Sequence, residues 1–423
     1  MREHYDALET RSPEQREAEH MAALPQQIAH AQRSTTAFAE ILSGVDAASI
    51  TSRDALAQLP VIRKDQLRDR QNRAQAAGEN PFGGFSTVGW RTLGAHPTAR
   101  RVFQSPGYIY EPEGGAADYW RFARALYAAG VRAGDLVHNT FSYHLTPAGF
   151  MIESAAQALG CAVFPGGVGN TELQLQALRQ LRPRAYTGTP SFLRILLQRA
   201  DAEGLRLPAL EVACVSGEAL PAALRDWFRA RGIEAYQSYG TADLGMVAYE
   251  TAAREGLVVD EQVLLEIVQP GTGVPVSAGE VGEVVVTVFN PAYPLVRFGT
   301  GDLSAVLPGP CPSGRTNVRI RGWMGRADQV TKVRGMFIYP QHIEELLRRR
   351  PWITRARFVV EGEMADDTLT LLVECGQAGS EVDSAEVAQS IRELTKLRAD
   401  VRRVPTGSLP QDGKLIEDRR RLN

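Results

Sequence analysis

Three charged side chains stand beside glycines in patterns that suit chemistry. In LVRFGTGDL, Asp302 follows Gly299 and Gly301. A carboxylate there is a natural acceptor for two neighbouring hydroxyls, because each can donate to one of its oxygens. An aspartate in a Gly turn at a strand end is also ordinary turn chemistry, so the motif alone does not choose. Asp243 in QSYGTADLG is the second, and Lys414 in GSLPQDGK, after Gly407 and Gly413, is the third. A lone lysine near a chain end is usually a solvated charge; its glycine neighbours set this one apart. A further stretch, GRADQVTKVRGMFIYPQHIEE, carries Arg326, Asp328 and Gly335. Its two β-rich runs, Asp328 to Val333 and Met336 to Tyr339, flank Gly335, a residue that lets a backbone approach a ligand closely. Pro340 then opens a helix with Ile343, Leu346 and Leu347 on one face. His138 and His144 show no acid or metal partner, and His342 falls on the outer helix, so no histidine is assigned catalytic work.

The elements that must position these residues follow from periodicity. Residues 1 to about 70 read as polar helices, broken at Pro60, with a new segment from Arg63 to Leu67. Residues 71 to 115 are rich in Gly and Pro, with a short strand at Arg101 to Phe103, and QSPGYIYEPEGG reads as loop. A helix with Trp120, Ala123, Leu126 and Tyr127 inward follows. From there to Gly240 apolar strands alternate with amphipathic helices, which predicts a parallel sheet covered by helices. Ligands of such sheets bind at the carboxyl ends of the strands. The loops there are GGVGNTE, YTGTPS, VSGEALP and QSYGTAD. From 246 to 308 the pattern alternates as in strands and predicts an antiparallel or barrel-like region, extending to about 320. Helices at 340–350 and 384–397, with strands near 354–360 and 369–374, predict a small α+β unit. The fold class is therefore α/β: a large domain over 1–326, including the β-rich part, and a small one over 327–423.

Composition narrows the function classes. A chain of 423 residues exceeds a single core. The formal charge of −2 gives no global pull toward nucleic acid or an anionic membrane. No apolar run approaches the roughly eighteen residues of a membrane span, and the charged first residues are unlike a signal peptide, so a cytoplasmic location is expected. Cys161, Cys214, Cys311 and Cys375 lack metal-knuckle spacing and read as reduced thiols.

In order and spacing these motifs resemble those of the adenylate-forming enzymes, and the length and lead-in (LPVIRKDQLRD, NPFG) look most like the phenylacetate-coenzyme A ligase branch. The resemblance covers nearly the whole chain. It implies that Ser216, Gly217 and Glu218 of VSGEALP wrap the adenine. QSYGTADLG resembles the Tyr-Gly-x-x-Glu motif, so Tyr239, Gly240 and Thr241 line the nucleotide and Asp243 is the acidic, magnesium-linked residue. It places Asp302 on the ribose hydroxyls, Arg326 near the nucleotide, Asp328 at a hinge, and Gly335 against the coenzyme A tunnel. Lys414 takes the role of the catalytic lysine, holding the acid carboxylate against the α-phosphate. The segment NTFSYHLTPAGF with the YTGTPS loop implies an acyl pocket of Phe141, Tyr143 and Gly188; Phe141 and Tyr143 also suit a core, and Phe150 more so.

Three features depart from relatives in that family. Its Ser/Thr/Gly-rich phosphate loop ends in lysine, whereas the matching slot here reads QSPGYIYEPEGG: Pro106 removes a backbone donor and Glu111 stands in the lysine's place. Two like charges about 4 Å apart cost about 4 kcal/mol at an effective dielectric of about 20, so Glu111 does not face a phosphate without a bridging cation. Asp243 is also one methylene shorter than glutamate. Some relatives carry a Cys/His zinc cluster; here Ser313 replaces its second cysteine beside Cys311, Val258 fills the histidine slot, and no structural zinc is expected.

The resemblance implies an ATP- and Mg2+-dependent ligase joining an aryl or arylacetic acid to coenzyme A through an acyl-adenylate, as a monomer or homodimer, with no nucleic-acid or membrane partner. The alternative is a diverged relative that binds AMP, an acyl-adenylate or a coenzyme A thioester without catalysis. The identity of the acyl acceptor, coenzyme A, an amine or a carrier protein, stays open.

Overall fold

The computed structural model describes residues 3–93, 98–105, 107–327, 331–334, 336–338, 340–362, 367–376, 384–410 and 414–420. The chain forms two compact units, Met1–Gly325 and Arg326–Asn423.

The first unit is built on a nine-stranded sheet. Five parallel strands lie in the order Ala162–Pro165, Leu136–Asn139, Ala185–Gly188, Val212–Val215, Glu234–Thr241. Their register runs through Val137, Ala185, Val212 and Glu234. The central strands AYTG and VACV are buried at every position, as expected when helices cover both faces. The helices Ala148–Ala158, Thr171–Leu181, Pro190–Ala202 and Ala222–Arg229 supply that cover, as the periodicity predicts. The helix before the first parallel strand is shorter than its pattern suggests. It begins at Ala123, whose N–H donates to the Asp118 carboxylate at 3.0 Å, so Trp120 is buried ahead of it and Tyr127 only half-buried within it.

The alternating region divides between two sheets. Gly245–Glu250 and Leu257–Val259 extend the large sheet antiparallel, whereas Val263–Val268, Gly282–Val288 and Phe298–Ser304 form a second sheet. Ile62–Arg63, from the lead-in, joins that second sheet parallel to Phe298 and Gly299. Arg297 secures the junction from a fully buried position. Its guanidinium pairs with both oxygens of Glu266 at 3.0 Å and donates to the carbonyls of Ala57 and Gly273. Charge-assisted bonds of this kind compensate the burial of an arginine.

QSPGYIYEPEGG is not a loop. Arg101–Ser105 and Ile109–Glu113 pair antiparallel, with Ser105 opposite Ile109 and Arg101 opposite Glu113. Ile109 and Glu111 point inward on alternate positions while Tyr110 is half-buried; the Gly and Pro around this short alternation conceal it in sequence. Pro106 lies outside the described residues.

The second unit has a four-stranded sheet in the order Asp400–Arg403, Thr368–Cys375, Ile353–Glu361, Ile416–Asp418, with the helices Pro340–Arg349 and Ser384–Thr395. The predicted hairpin is present: Thr331 pairs with Ile338 and Val333 with Met336. Ile343 and Leu346 join Val333, Ile338 and Phe358 in the core of this unit, with Leu347 packed at its edge. No described helix is long and apolar enough to cross a membrane.

Candidate active site

The carboxyl ends of the parallel strands bring the sequence-predicted residues of the first unit into one connected group. Ser216 leaves the strand Val212–Val215, donates its N–H to the Gly188 carbonyl at 3.1 Å, and donates its hydroxyl to the Ser238 carbonyl at 2.8 Å. The Glu218 carboxylate accepts from the Ser191 N–H at 3.3 Å, at the first turn of Pro190–Ala202, and its own carbonyl accepts from Gln237 at 3.4 Å. VSGEALP is thus tied to both neighbouring strand ends. Next to Ser238, Tyr239 donates its hydroxyl to Asp302 Oδ2 at 2.9 Å. Trp323 Nε1 donates to Asp302 Oδ1 at 3.0 Å. Both oxygens of this buried carboxylate accept from these donors, which orients its plane.

Asp243 sits in the turn after Thr241, whose hydroxyl accepts from the Leu244 N–H at 3.1 Å. Gly245 closes the turn at φ 73°, and a Cβ there would lie 2.8 Å from the Trp120 carbonyl; only glycine satisfies both constraints. Gly240 is packed on the Gly245 carbonyl in the same way. Lys64 Nζ approaches Asp243 Oδ2 at 3.1 Å, with the Asp243 side chain 1% exposed and that of Lys64 33%. Lys64 opens the helix Lys64–Ala76 directly after Ile62–Arg63, so the second sheet places it there.

The sequence motifs do not single out Lys64. Its signal is a strand dipeptide after Pro60 that feeds a helix whose first residue is a lysine.

Glu111 also faces Asp243. It is buried, accepts from the Ser105 hydroxyl at 2.8 Å, and lies against the Asp243 carboxyl. Burial first, and then the Asp243 charge, push the Glu111 carboxyl well above the ordinary carboxylate range. The Tyr293 phenol is raised as well, by burial first and then by the charges of Asp243 and Glu111.

The acyl-pocket residues divide. Tyr143, with Ser142, His144, Pro165, Gly166 and Gly167, lines a cleft of about 480 Å³. Its hydroxyl accepts from Asn139 Nδ2 at 2.8 Å, and its ring meets Phe150 edge-on at 5.1 Å. Phe150 itself packs tilted against Phe103 at 5.4 Å, partly buried against the core, as expected. Phe141 and Gly188 do not line this cleft. Phe141 packs against the core from a half-buried position, and Gly188 lies under Thr140 and Tyr186. His138 is structural: its Nε2 shares a hydrogen with Gln174 Oε1 at 2.7 Å, and Gln174 Nε2 donates to the carbonyls of Gly167 and Gly169 at 2.8 Å. Burial lowers the pKa of His138, against the hydrogen bond to Gln174.

In the second unit Lys414 is exposed, just ahead of Ile416–Asp418. The segment before it is clamped. Arg355 donates to the carbonyls of Leu409 and Pro410 at 2.8 and 2.9 Å, Arg357 donates to Pro410 at 3.2 Å, and Glu374 accepts the Leu409 N–H at 2.6 Å. Arg326 is half-buried at the start of this unit. Asp328 and Gly335 lie outside the described residues. Cys311 Sγ contacts Ser313 Oγ at 3.1 Å, and among the described residues no three His, Cys, Asp or Glu side chains converge.

Known proteins are similar to this chain. A family model described as AMP-binding enzyme matches residues 142–289. The phenylacetate-coenzyme A ligase of Thermus thermophilus is 29% identical over 375 residues, spanning 85% of this chain and 82% of that protein. That of Aromatoleum evansii is 30% identical over 344 residues, spanning 78% and 74%. A solved structure of 2-hydroxyisobutyryl-CoA ligase in complex with 2-HIB-AMP and CoA aligns with a TM-score of 0.84 at 25% identity, covering 98% of this chain and 92% of that one.

Proposed function

The chain belongs to the phenylacetate-coenzyme A ligase-like branch of the adenylate-forming enzymes, and from that premise we propose that it is an ATP-dependent ligase joining a carboxylic acid to coenzyme A through an acyl-adenylate. The observation that carries this reading is the continuous contact path Ser216–Ser238–Tyr239–Asp302 at the strand ends, with Asp243 on the turn that follows.

In the first half-reaction the acid carboxylate attacks the α-phosphate and pyrophosphate leaves. VSGEALP takes the adenine edge, and Asp302, its plane held by Tyr239 and Trp323, takes the two ribose hydroxyls. Lys414 brings a positive charge to the reacting carboxylate and the developing charge on phosphorus, and the Arg355–Glu374 clamp on Leu409 and Pro410 limits the freedom of the segment before it. In the second half-reaction the coenzyme A thiol displaces AMP from the acyl carbon. Magnesium would offset the triphosphate charge when bound, and Asp243 fits it, because its Oδ1 is buried with no hydrogen-bond partner.

The acid is of the aryl or arylacetic class. Support comes from the aromatic wall that Tyr143 presents to the cleft with Phe150 behind it. The test is pyrophosphate release from ATP across a panel of aryl, fatty and hydroxy acids, with and without coenzyme A. Release that depends on an aryl acid is expected. No release with any acid would favour the alternative of a nucleotide- or thioester-binding relative.

A further inference from the structure

The cleft that Tyr143 lines has a second wall made of backbone, where Pro165, Gly166, Gly167 and Val168 run off the end of the edge strand Ala162–Pro165. Gly167 and Gly169 hold φ of 64° and 75°, and a Cβ on either would meet nothing within 4 Å, so no packing of their own fixes this turn. The fixing group is an amide from the helix that follows. Gln174, 2% exposed in Thr171–Leu181, donates through Nε2 to the Gly167 and Gly169 carbonyls at 2.8 Å each and lies 3.4 Å from that of Gly166. With its nitrogen committed to carbonyls, the amide presents Oε1 to His138, so His138 Nε2 carries the hydrogen of their 2.7 Å bond. His138 is fully buried on Leu136–Asn139 and stacks on Phe164 at 5.0 Å. Gly166 is seated on the pair: a Cβ there would fall 2.7 Å from Gln174 Oε1 and 3.2 Å from His138 Nε2. Asn139, the next residue of that strand, serves both walls. Its carbonyl accepts the Gly167 N–H at 3.1 Å, and its Nδ2 donates to the Tyr143 hydroxyl at 2.8 Å.

We propose that Gln174 is a positioning residue for acid selection: it fixes the turn from Gly166 to Gly169 against His138, sets the shape of the cleft that Tyr143 also lines, and so decides which acids fit. Two observations separate this role from the ordinary satisfaction of a buried amide. Leu175 and Leu178 of the same helix are buried and supply its apolar packing, so docking the helix does not call for a buried glutamine beside them. The three carbonyls that Gln174 meets all belong to one short stretch, and Gly166 and Gly167 of that stretch line the cleft. Bonded to Gln174, these carbonyls have their partial charge offset toward the helix, and glycines without side chains leave room for a flat ring. The service to acid selection rests on the reading above that the acid occupies this cleft; the hold on the turn does not.

The experiment compares the full-length wild type with Gln174→Met, which keeps the length of the side chain and removes its donors, and with His138→Phe, which keeps the ring beside Phe164 and removes the bond to Gln174. Amide hydrogen exchange of the ligand-free proteins reads the turn directly. In Gln174→Met the Gly167 N–H is expected to exchange about tenfold faster or more, while the distant helix Ala222–Arg229 exchanges as in the wild type. Steady-state pyrophosphate release with phenylacetate and with octanoate reads the consequence. Gln174→Met should raise the KM for phenylacetate about tenfold, leave the KM for ATP within about twofold, and change the ratio of kcat/KM between the two acids; His138→Phe should do the same to a smaller degree. Unchanged exchange at Gly167, or KM values for acid and ATP that stay level or rise together, would overturn the proposal and leave Gln174 as a packing residue. Absence of release by the wild type with either acid would count against the ligase reading, while the exchange comparison still decides the hold on the turn.

Discussion

Tyr239 and Asp302 are 63 residues apart in sequence, yet the Tyr239 hydroxyl donates to Asp302 Oδ2 at 2.9 Å. The bond joins the last parallel strand to a strand of the second sheet. It gives Tyr239 a role its motif does not announce, which is to orient the carboxylate proposed to take the ribose hydroxyls. A hydrogen bond to a charged group contributes about 1.5–3 kcal/mol. Tyr239→Phe is therefore expected to raise the KM for ATP by roughly tenfold or more while kcat changes less. Asp302→Ala should raise it further. Steady-state pyrophosphate release decides, and an unchanged KM in Tyr239→Phe would exclude the positioning role.

Lys414 separates activity from stability. It is exposed, so Lys414→Ala should leave the melting temperature within about a degree or two of wild type. Loss of one charge-stabilising group of this kind costs about 10²–10³ in rate. The adenylation step should fall by that factor, read as acid-dependent exchange of pyrophosphate into ATP. Arg355→Ala, which removes donors to the Leu409 and Pro410 carbonyls, should lower the same step by a smaller factor. Full activity in Lys414→Ala would remove this lysine from the mechanism.

Asp118 gives the fold a pH dependence away from the site. Burial is the main cause that raises its carboxyl from 3.8 to about 7, against the Ala123 N–H that it caps. Because the folded pKa lies above the unfolded one, the stabilisation is complete below about 4 and is lost as pH rises through about 7. Urea unfolding should therefore show falling stability from pH 4 to pH 7.5, by a few kcal/mol at most. Asp118→Asn retains an acceptor for the helix cap and suits the positive φ of 46° at this position. It should flatten that slope, and a slope unchanged in Asp118→Asn would assign it elsewhere.

Much of this architecture is visible in local sequence because apolar runs such as VACV and amphipathic runs such as TELQLQALRQL state their own period. The helix Thr171–Leu181 begins and ends where its pattern does. Other elements were hidden for physical reasons. Asp400–Arg403 and Ile416–Asp418 are short edge strands with one apolar residue each, Val401 and Ile416, too few to show a period, and pairing with Thr368–Cys375 and Ile353–Glu361 holds them. The hairpin bearing Glu111 is obscured by its glycines and prolines. Motif spacing located Asp243 and Asp302, but it carries no record of who meets them. Lys64 is 179 residues from Asp243, and the pairing of Ile62 with Phe298 sets the start of the helix that carries Lys64 to it.

Gly188 separates a pocket role from a packing role. A Cβ on Gly188 would fall 1.9 Å from Thr140 Oγ1 and 2.3 Å from the Tyr186 hydroxyl. Those hydroxyls form a buried chain, Thr140 to Tyr186 at 2.8 Å and Tyr186 to the Thr189 carbonyl at 3.1 Å, which leads into the first turn of Pro190–Ala202. Overpacking of this kind costs about 1–3 kcal/mol, so Gly188→Ala should melt several degrees lower. Should Gly188 also shape the acyl site, the KM for the acid will rise well beyond that for ATP, and smaller acids will be favoured over aryl ones. A lowered melting temperature with both KM values unchanged would confine Gly188 to packing and leave the acyl pocket to the Tyr143 cleft.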